Sequence, residues 1–178
     1  MISKRRIFMR KALLVIDMQN GVCTDGIFNL KQIIKNINSR IWYFRKNKLP
    51  IIFIQHVDST LEPHSHNWKI LSQIDYVGGK DTVIQKTHAD AFYKTDLKEK
   101  LSQLEVNELE IVGAQIEYCI DTTIRVAHDL GYKITMYEGT TTTFDNEFLS
   151  AEKMVDYYYK MWNQRFLTLK SSIENRQN

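Results

Sequence analysis

Glu110 to Ile134 reads EIVGAQIEYCIDTTIRVAHDLGYKI, and the architecture follows from the order of residue types within it. Ile111 and Val112 read as the end of a buried strand, Gly113 and Ala114 are small enough for a sharp turn, and Ile120, Ile124, Ala127 and Leu130 then recur at helical spacing. Gly131 stands where a helix C-terminus favours a residue tolerant of positive φ. The pattern predicts strand, turn and helix, with Cys119 at or near the first helical position. There, unpaired backbone N–H groups and their partial positive charge favour thiolate over thiol and can donate to an oxyanion. A lone cysteine is more often a small buried hydrophobe than a nucleophile, so its partners have to decide between the two readings.

Working outward, strands and helices alternate. Lys11 to Ile16 (KALLVI) is a continuous apolar run, the mark of a strand buried on both faces. Residues 29–47 carry Ile33, Ile34, Ile37, Ile41 and Phe44 on one helical face, and Pro50 punctuates the exit. Further strands are predicted at residues 51–55, 82–85, 109–112 and 133–137, with a sixth candidate at 166–169. Thr95 is placed to cap a helix bearing Leu97, Leu101 and Leu104, and Ser150 to cap another, with Leu149 and Met154 at staple spacing. Residues 56–80 are polar and irregular and read as a long functional loop with one helical turn near Trp68. Parallel strands need crossovers, so the chain is expected to be an α/β, three-layer, doubly wound fold with a mostly parallel sheet of five or six strands.

Composition sets the limits of this reading. The 178 residues fit one domain, taken as 11–170, between a basic leader at 1–10 and a polar tail at 171–178. Hydrophobic residues at 43% and charged residues at 25% are ordinary for a soluble globular protein. No apolar run approaches the roughly 20 residues of a membrane helix, and 12–16 is too short for a signal peptide, so a cytoplasmic protein without membrane partners is expected. The net charge of +3 is mild, with both signs interleaved, and gives no nucleic-acid footprint. Cys23 and Cys119 are too few for a disulfide framework, and no C-x-x-C pair exists for zinc or thioredoxin-like chemistry. No metal or other cofactor is expected.

In doubly wound sheets, ligands bind beyond the carboxyl ends of the strands. Asp17 follows the first strand, His56 the second, Lys86 the third and Cys119 the fourth, so a carboxylate, an amine and a thiol converge on one sheet edge. Such a trio suits nucleophilic acyl transfer: the thiolate attacks a carbonyl, the carboxylate carries the proton, and the cation lowers the thiol pKa.

The residues now carry a resemblance. IDMQN (Ile16 to Asn20), QKTHADAF (Gln85 to Phe92), GAQIEYCIDTTIRVAHDLGY (Gly113 to Tyr132) and TTFDN (Thr142 to Asn146) resemble motifs of the isochorismatase-like cysteine hydrolases, the superfamily of nicotinamidase, N-carbamoylsarcosine amidohydrolase and streptothricin hydrolase. The resemblance spans about Lys11 to Phe166. It implies a catalytic triad of Asp17, Lys86 and Cys119, a cis peptide between Ala114 and Gln115, and an oxyanion hole from the N–H groups of Gln115 and Cys119. The implied activity is hydrolysis of a non-peptide carbon–nitrogen bond in a small molecule through a Cys119 thioester. The alternatives are vinyl ether cleavage of the isochorismatase type and a non-catalytic scaffold of the same fold.

Departures from the family pattern narrow this reading. Nicotinamidases bind a metal through an Asp-x-His pair and a further histidine, whereas FIQHVD here has Gln55 before His56, and His64 and His66 match no catalytic zinc spacing. Val22 stands where relatives often have an aromatic residue, and Ile116 where many have threonine. Tyr118, Trp68 and His56 are the candidate substrate-binding residues. For each a structural role competes: Tyr118 on the sheet edge, Trp68 in a cluster under the loop, His56 on backbone. Cys23 reads as an ordinary thiol, and Glu117 and Asp121 as complements to a helix dipole or subunit contact. The aromatic run Tyr157, Tyr158, Tyr159, Met161, Trp162 exceeds what one core needs, so part of it is assigned to a subunit interface in a homodimer or larger homo-oligomer.

Overall fold

The structure is a computed structural model that describes residues 10–171; the expected leader and tail lie outside the described residues apart from Arg10 and Ser171. The element order is β1 (Lys11–Ile16), α1 (Leu30–Lys46), β2 (Ile51–His56), β3 (Thr82–Lys86), α2 (Leu97–Gln103), β4 (Glu108–Ala114), a π-helical turn (Ile116–Ile120), α3 (Asp121–Asp129), β5 (Lys133–Tyr137), β6 (Thr141–Thr142), α4 (Ala151–Trp162) and β7 (Thr168–Lys170). The sheet runs β3-β2-β1-β4-β5-β7, with the two-residue β6 beside the end of β4. Among the described residues it therefore has seven strands, against the five or six expected, and every strand pairing is parallel. Among the described residues no helix is long and apolar enough to cross a membrane.

Alternation along the central strand divides the core. Ala12, Leu14 and Ile16 pack on one face with Leu97, Leu101, Ile124, Ala127, Met154 and Trp162 from α2, α3 and α4. Leu13 and Val15 pack on the other with Ile33, Ile37, Ile41 and Phe44 of α1. Successive side chains of a strand point to opposite faces, so an uninterrupted apolar run is what a sheet covered by helices on both sides requires.

One buried charge cluster ties these layers together. Glu110, fully buried on β4, accepts from Arg40 Nε at 2.5 Å and Nη2 at 2.9 Å, and has Lys11 Nζ at 3.1 Å. The Arg40 guanidinium lies 4.2 Å from the Tyr137 ring centroid and 4.5 Å from that of Tyr43. Two cations and two aromatic faces thus compensate a carboxylate that burial alone would penalise.

Two capping expectations resolve differently. Ser150 caps α4, accepting from Lys153 N at 3.4 Å. Thr95 is not the N-cap of α2: the cap position is Asp96, without a side-chain bond, while Thr95 donates to Ala91 O at 2.7 Å and accepts from Leu97 N at 3.3 Å. The aromatic run on α4 is largely absorbed by the protein's own core. Tyr159 and Trp162 are buried, Tyr158 and Met161 pack against them, and Tyr157 stands out at 58% exposed.

The strand order reverses direction between β1 and β4. At this switch point Ile16 lies beside Gly113, whose φ is 129° and whose Cβ, were it present, would stand 2.0 Å from Ile16 O. Only glycine lets the two strand ends approach this closely before their loops diverge and open a crevice.

Candidate active site

Four strand ends deliver the residues around this crevice. Asp17 directly follows β1 with φ 50°, a left-handed conformation that a non-glycine residue adopts at some cost. His56 and Lys86 close β2 and β3 and are direct partners in the parallel ladder. Beyond β4 the Ala114–Gln115 peptide is cis, and the chain enters the π-helical turn that carries Cys119. Cys119 is thus the fourth residue of a helical stretch beginning at Ile116, not its first, because one π turn precedes α3.

The structure brings Asp17, Lys86 and Cys119 together. Lys86 Nζ lies 2.7 Å from Asp17 Oδ2, 3.1 Å from Cys119 Sγ, 3.0 Å from His56 Nδ1 and 3.1 Å from the carbonyl oxygen of His88. Asp17 and Lys86 are 1% exposed. Asp17 Oδ2 is held by the ammonium, while Oδ1 is buried without a hydrogen-bond partner among the described residues. One oxygen of the carboxylate is therefore anchored and the other is left able to accept a proton.

Electrostatics correct one sequence expectation. Burial and the Asp17 carboxylate push the Cys119 thiol up, to about 12, against the downward pull of Lys86. Burial and the neighbouring carboxylate thus favour the thiol form of Cys119, in opposition to the ammonium. Burial, and next the neighbouring ammonium, hold His56 below its ordinary value of 6.5, so its imidazole is neutral at pH 7.

A cleft of about 380 Å³ opens over these groups, lined by Asp17, His56, Gln115, Tyr118 and Cys119 together with Val22 and Asp58. Tyr118 and His56 thus both line the cleft. Trp68 is not. It lines a separate hollow with Tyr76 and Val83, its ring is 5.4 Å from that of His64, and what it offers the site is its backbone carbonyl. A larger groove of about 610 Å³ lies between β5, β7 and the α3 end, away from the nucleophile.

That carbonyl leads to residues the sequence reading assigned no role. Gln19, fully buried, donates from Nε2 to the carbonyls of His56 at 3.0 Å and Trp68 at 2.8 Å, and accepts the His56 N–H at 2.8 Å. Gln55 donates to the same Trp68 carbonyl at 2.7 Å. Two glutamines thus clamp the long loop to the ends of β1 and β2 and set the height of His56 in the cleft. The only signal for Gln19 in the sequence was its place in the IDMQN motif. Glu117 and Asp121 also have partners inside the chain: Thr143 Oγ1 donates to Glu117 at 2.6 and 2.7 Å, and Trp162 Nε1 to Asp121 at 2.8 Å. Cys23 is buried, its thiol also pushed up to about 12, by burial first and then by Asp17.

The donor set fits no metal of the nicotinamidase kind. Gln55 is turned to the loop backbone, and His64 and His66 belong to no cluster of potential ligands among the described residues. The one such cluster is Asp17, His56 and Cys119, with ligand atoms within 4.8 Å of one another. The cation these atoms surround is the ammonium of Lys86.

Comparison with known proteins agrees with this fold. The Isochorismatase domain family model matches residues 11–167. The uncharacterized isochorismatase family protein YddQ of Bacillus subtilis is 28% identical over 176 residues, covering 92% of this chain and 97% of its own length. Nicotinamidase 3 of Arabidopsis thaliana is 30% identical over 159 residues, covering 80% of this chain and 78% of its own. A crystal structure of an isochorismatase family protein superposes with a TM-score of 0.87 at 40% identity, over 90% of this chain and 98% of that one.

Proposed function

The chain belongs to the isochorismatase family and is a hydrolase of that family, and from that premise we propose that it cleaves the carbon–nitrogen bond of a small-molecule amide or lactam through a thioester on Cys119. The observation that carries this reading is the arrangement of one buried carboxylate: Asp17 Oδ2 is anchored by Lys86, Oδ1 has no hydrogen-bond partner among the described residues, and a carboxylate oxygen lies within 4.8 Å of the Cys119 sulfur.

In this mechanism the Cys119 proton passes to Asp17 as the sulfur attacks the carbonyl carbon. The resulting oxyanion is met by the backbone N–H groups of Gln115 and Cys119 at the mouth of the π-helical turn, one such donor being worth about 3 kcal/mol of barrier. Collapse of the tetrahedral adduct breaks the carbon–nitrogen bond, and the proton on Asp17 goes to the departing nitrogen. Water then attacks the thioester and gives its proton to Asp17, and collapse returns that proton to the sulfur. The net reaction consumes one amide and one water and yields one acid and one amine. Lys86 remains an ammonium throughout and balances whichever of the carboxylate or the sulfur is negative. An amide relative, Nicotinamidase 3, supports this bond type, and an ether offers the sulfur no carbonyl to attack.

The test is release of ammonia or amine from a panel of small amides and lactams, with acyl-enzyme sought by intact mass and Cys119→Ala as control. Product that depends on Cys119, together with an adduct on its peptide, is expected. Product that persists in Cys119→Ala, or cleavage confined to vinyl ethers, refutes the mechanism; silence across the panel in a protein whose Cys119 resists all thiol reagents favours a scaffold.

A further inference from the structure

The charges lining the cleft are one-sided. Its acidic side chains are Asp17 and Asp58, and no lysine or arginine lines it among the described residues. Lys86 lies beneath, its side chain fully buried, with four protein neighbours within 3.1 Å for the three hydrogens of an ammonium. It has no N–H to spare for a carboxylate on an incoming molecule.

Asp58 is built in the opposite sense. Its Oδ1 accepts from Thr60 N at 2.7 Å, Thr60 Oγ1 at 2.8 Å and Leu61 N at 2.9 Å, which fix the carboxylate and hold its pKa below the ordinary aspartate value. Oδ2 is left with His56 Nε2 at 3.5 Å, beyond a good hydrogen bond. The group is a preset acceptor at the cleft wall. Tyr118, 59% exposed, also lines the cleft and offers the negative face of an aromatic ring.

We propose that this cleft selects amides bearing a cationic nitrogen, an ammonium or amidinium, near the scissile bond, with that nitrogen on Asp58 Oδ2 and flanked by the Tyr118 ring. This rests on the reading of Cys119 as the nucleophile at the cleft floor. Asp58 and Tyr118 are then the specificity determinants, and carboxylated substrates are excluded for want of any group to pair with them.

The experiment uses Cys119 itself as the reporter and needs no substrate. Methanethiosulfonates bearing a trimethylammonium, a methyl or a sulfonate group transfer their sulfenyl group to the same sulfur as it loses its proton, methanesulfinate leaving as the S–S bond forms. Rates at Cys119, resolved by peptide mass and divided by those with free 2-mercaptoethanol, isolate the field of the cleft. A unit charge roughly 8 Å from one carboxylate in a water-like medium gives a cation-over-anion ratio of about fivefold. That ratio is expected in the wild type and is expected to fall below about twofold in both Asp58→Asn and Asp58→Ser, with the methyl reagent and circular dichroism reporting access and fold. Labelling of Cys119 without a charge preference, or a preference unchanged by both variants, overturns the proposal while leaving the cysteine mechanism standing. Failure of all three reagents to modify Cys119 in the folded protein overturns the mechanism and the proposal together.

Discussion

Asp17→Asn is expected to make Cys119 more reactive and the enzyme inactive. In the wild type, burial and the Asp17 carboxylate hold the thiol at about 12. The substitution keeps the side-chain shape and removes the negative charge, whose oxygen lies within 4.8 Å of the sulfur. Two unit charges at that separation interact by about 3.5 kcal/mol at an effective dielectric of about 20, equivalent to roughly 2.5 pK units. Lys86, 3.1 Å from the sulfur, is then left without its carboxylate and favours the thiolate further. Because Cys119 is only partly buried, solvent screens some of this, and a gain of about a hundredfold in thiolate at pH 8 is the working figure. Iodoacetamide labelling at pH 8, read by peptide mass with buried Cys23 as an unfolding control, measures it. Hydrolysis by the same variant is expected to drop by about a thousandfold, since the proton acceptor is gone. A variant that labels no faster than wild type, or that keeps more than a tenth of the activity, refutes the assignment of Asp17 as the group that both suppresses and later deprotonates the thiol.

Two further outcomes follow from the geometry. Gly113→Ala places a methyl group 2.0 Å from Ile16 O at a φ of 129° and is expected to cost more than about 3 kcal/mol, seen as a lower urea midpoint; an unchanged midpoint would show that β1 and β4 can part without penalty. His56 has a depressed pKa when folded, so the unfolded chain binds more protons as pH falls below 6.5 and stability rises with pH through that window; His56→Asn is expected to flatten this slope between pH 5 and 7, and a slope identical to wild type would contradict the burial of a neutral imidazole.

Much of the framework was legible in residue order. Lys11–Ile16 and Lys133–Tyr137 declare themselves to the residue because a strand covered on both faces is a mostly apolar run, and the one polar side chain inside the second, Thr135, is partnered by Glu108. Helix α1 was readable to within a residue at each end from its apolar stripe. β6 was not, since Thr141 and Thr142 are too short a stretch to show a period, and they are strand only because β4 extends past the crevice. The π-helical turn escaped notice because apolar spacing alone does not separate one wider turn from the α-helix it opens. In the site, Asp17, Lys86 and Cys119 stand out as polar residues at the ends of apolar runs. Gln19 and Gln55 do not, because a glutamine acquires meaning from the carbonyl it reaches, and Trp68 O belongs to a loop whose path no local pattern predicts. Trp68 misled for the complementary reason: a large ring in a functional loop suggests a lid, yet the loop uses that residue for its backbone.

The crowding around Lys86 bears on why a lysine stands there. With three hydrogens and four claimants, the ammonium is a frustrated rotor: whichever set of three it serves, one neighbour waits. A rotation of less than a third of a turn about the Cε–Nζ bond re-aims the hydrogens among these neighbours without displacing any heavy atom, a motion of the picosecond-to-nanosecond class. The pocket is thus built to follow the redistribution of charge between carboxylate and sulfur that the proposed mechanism requires, at almost no reorganisation cost. A guanidinium, planar and with its donors fixed in a fork, has no such freedom, and substitution by arginine would be a change of mechanism and not of size.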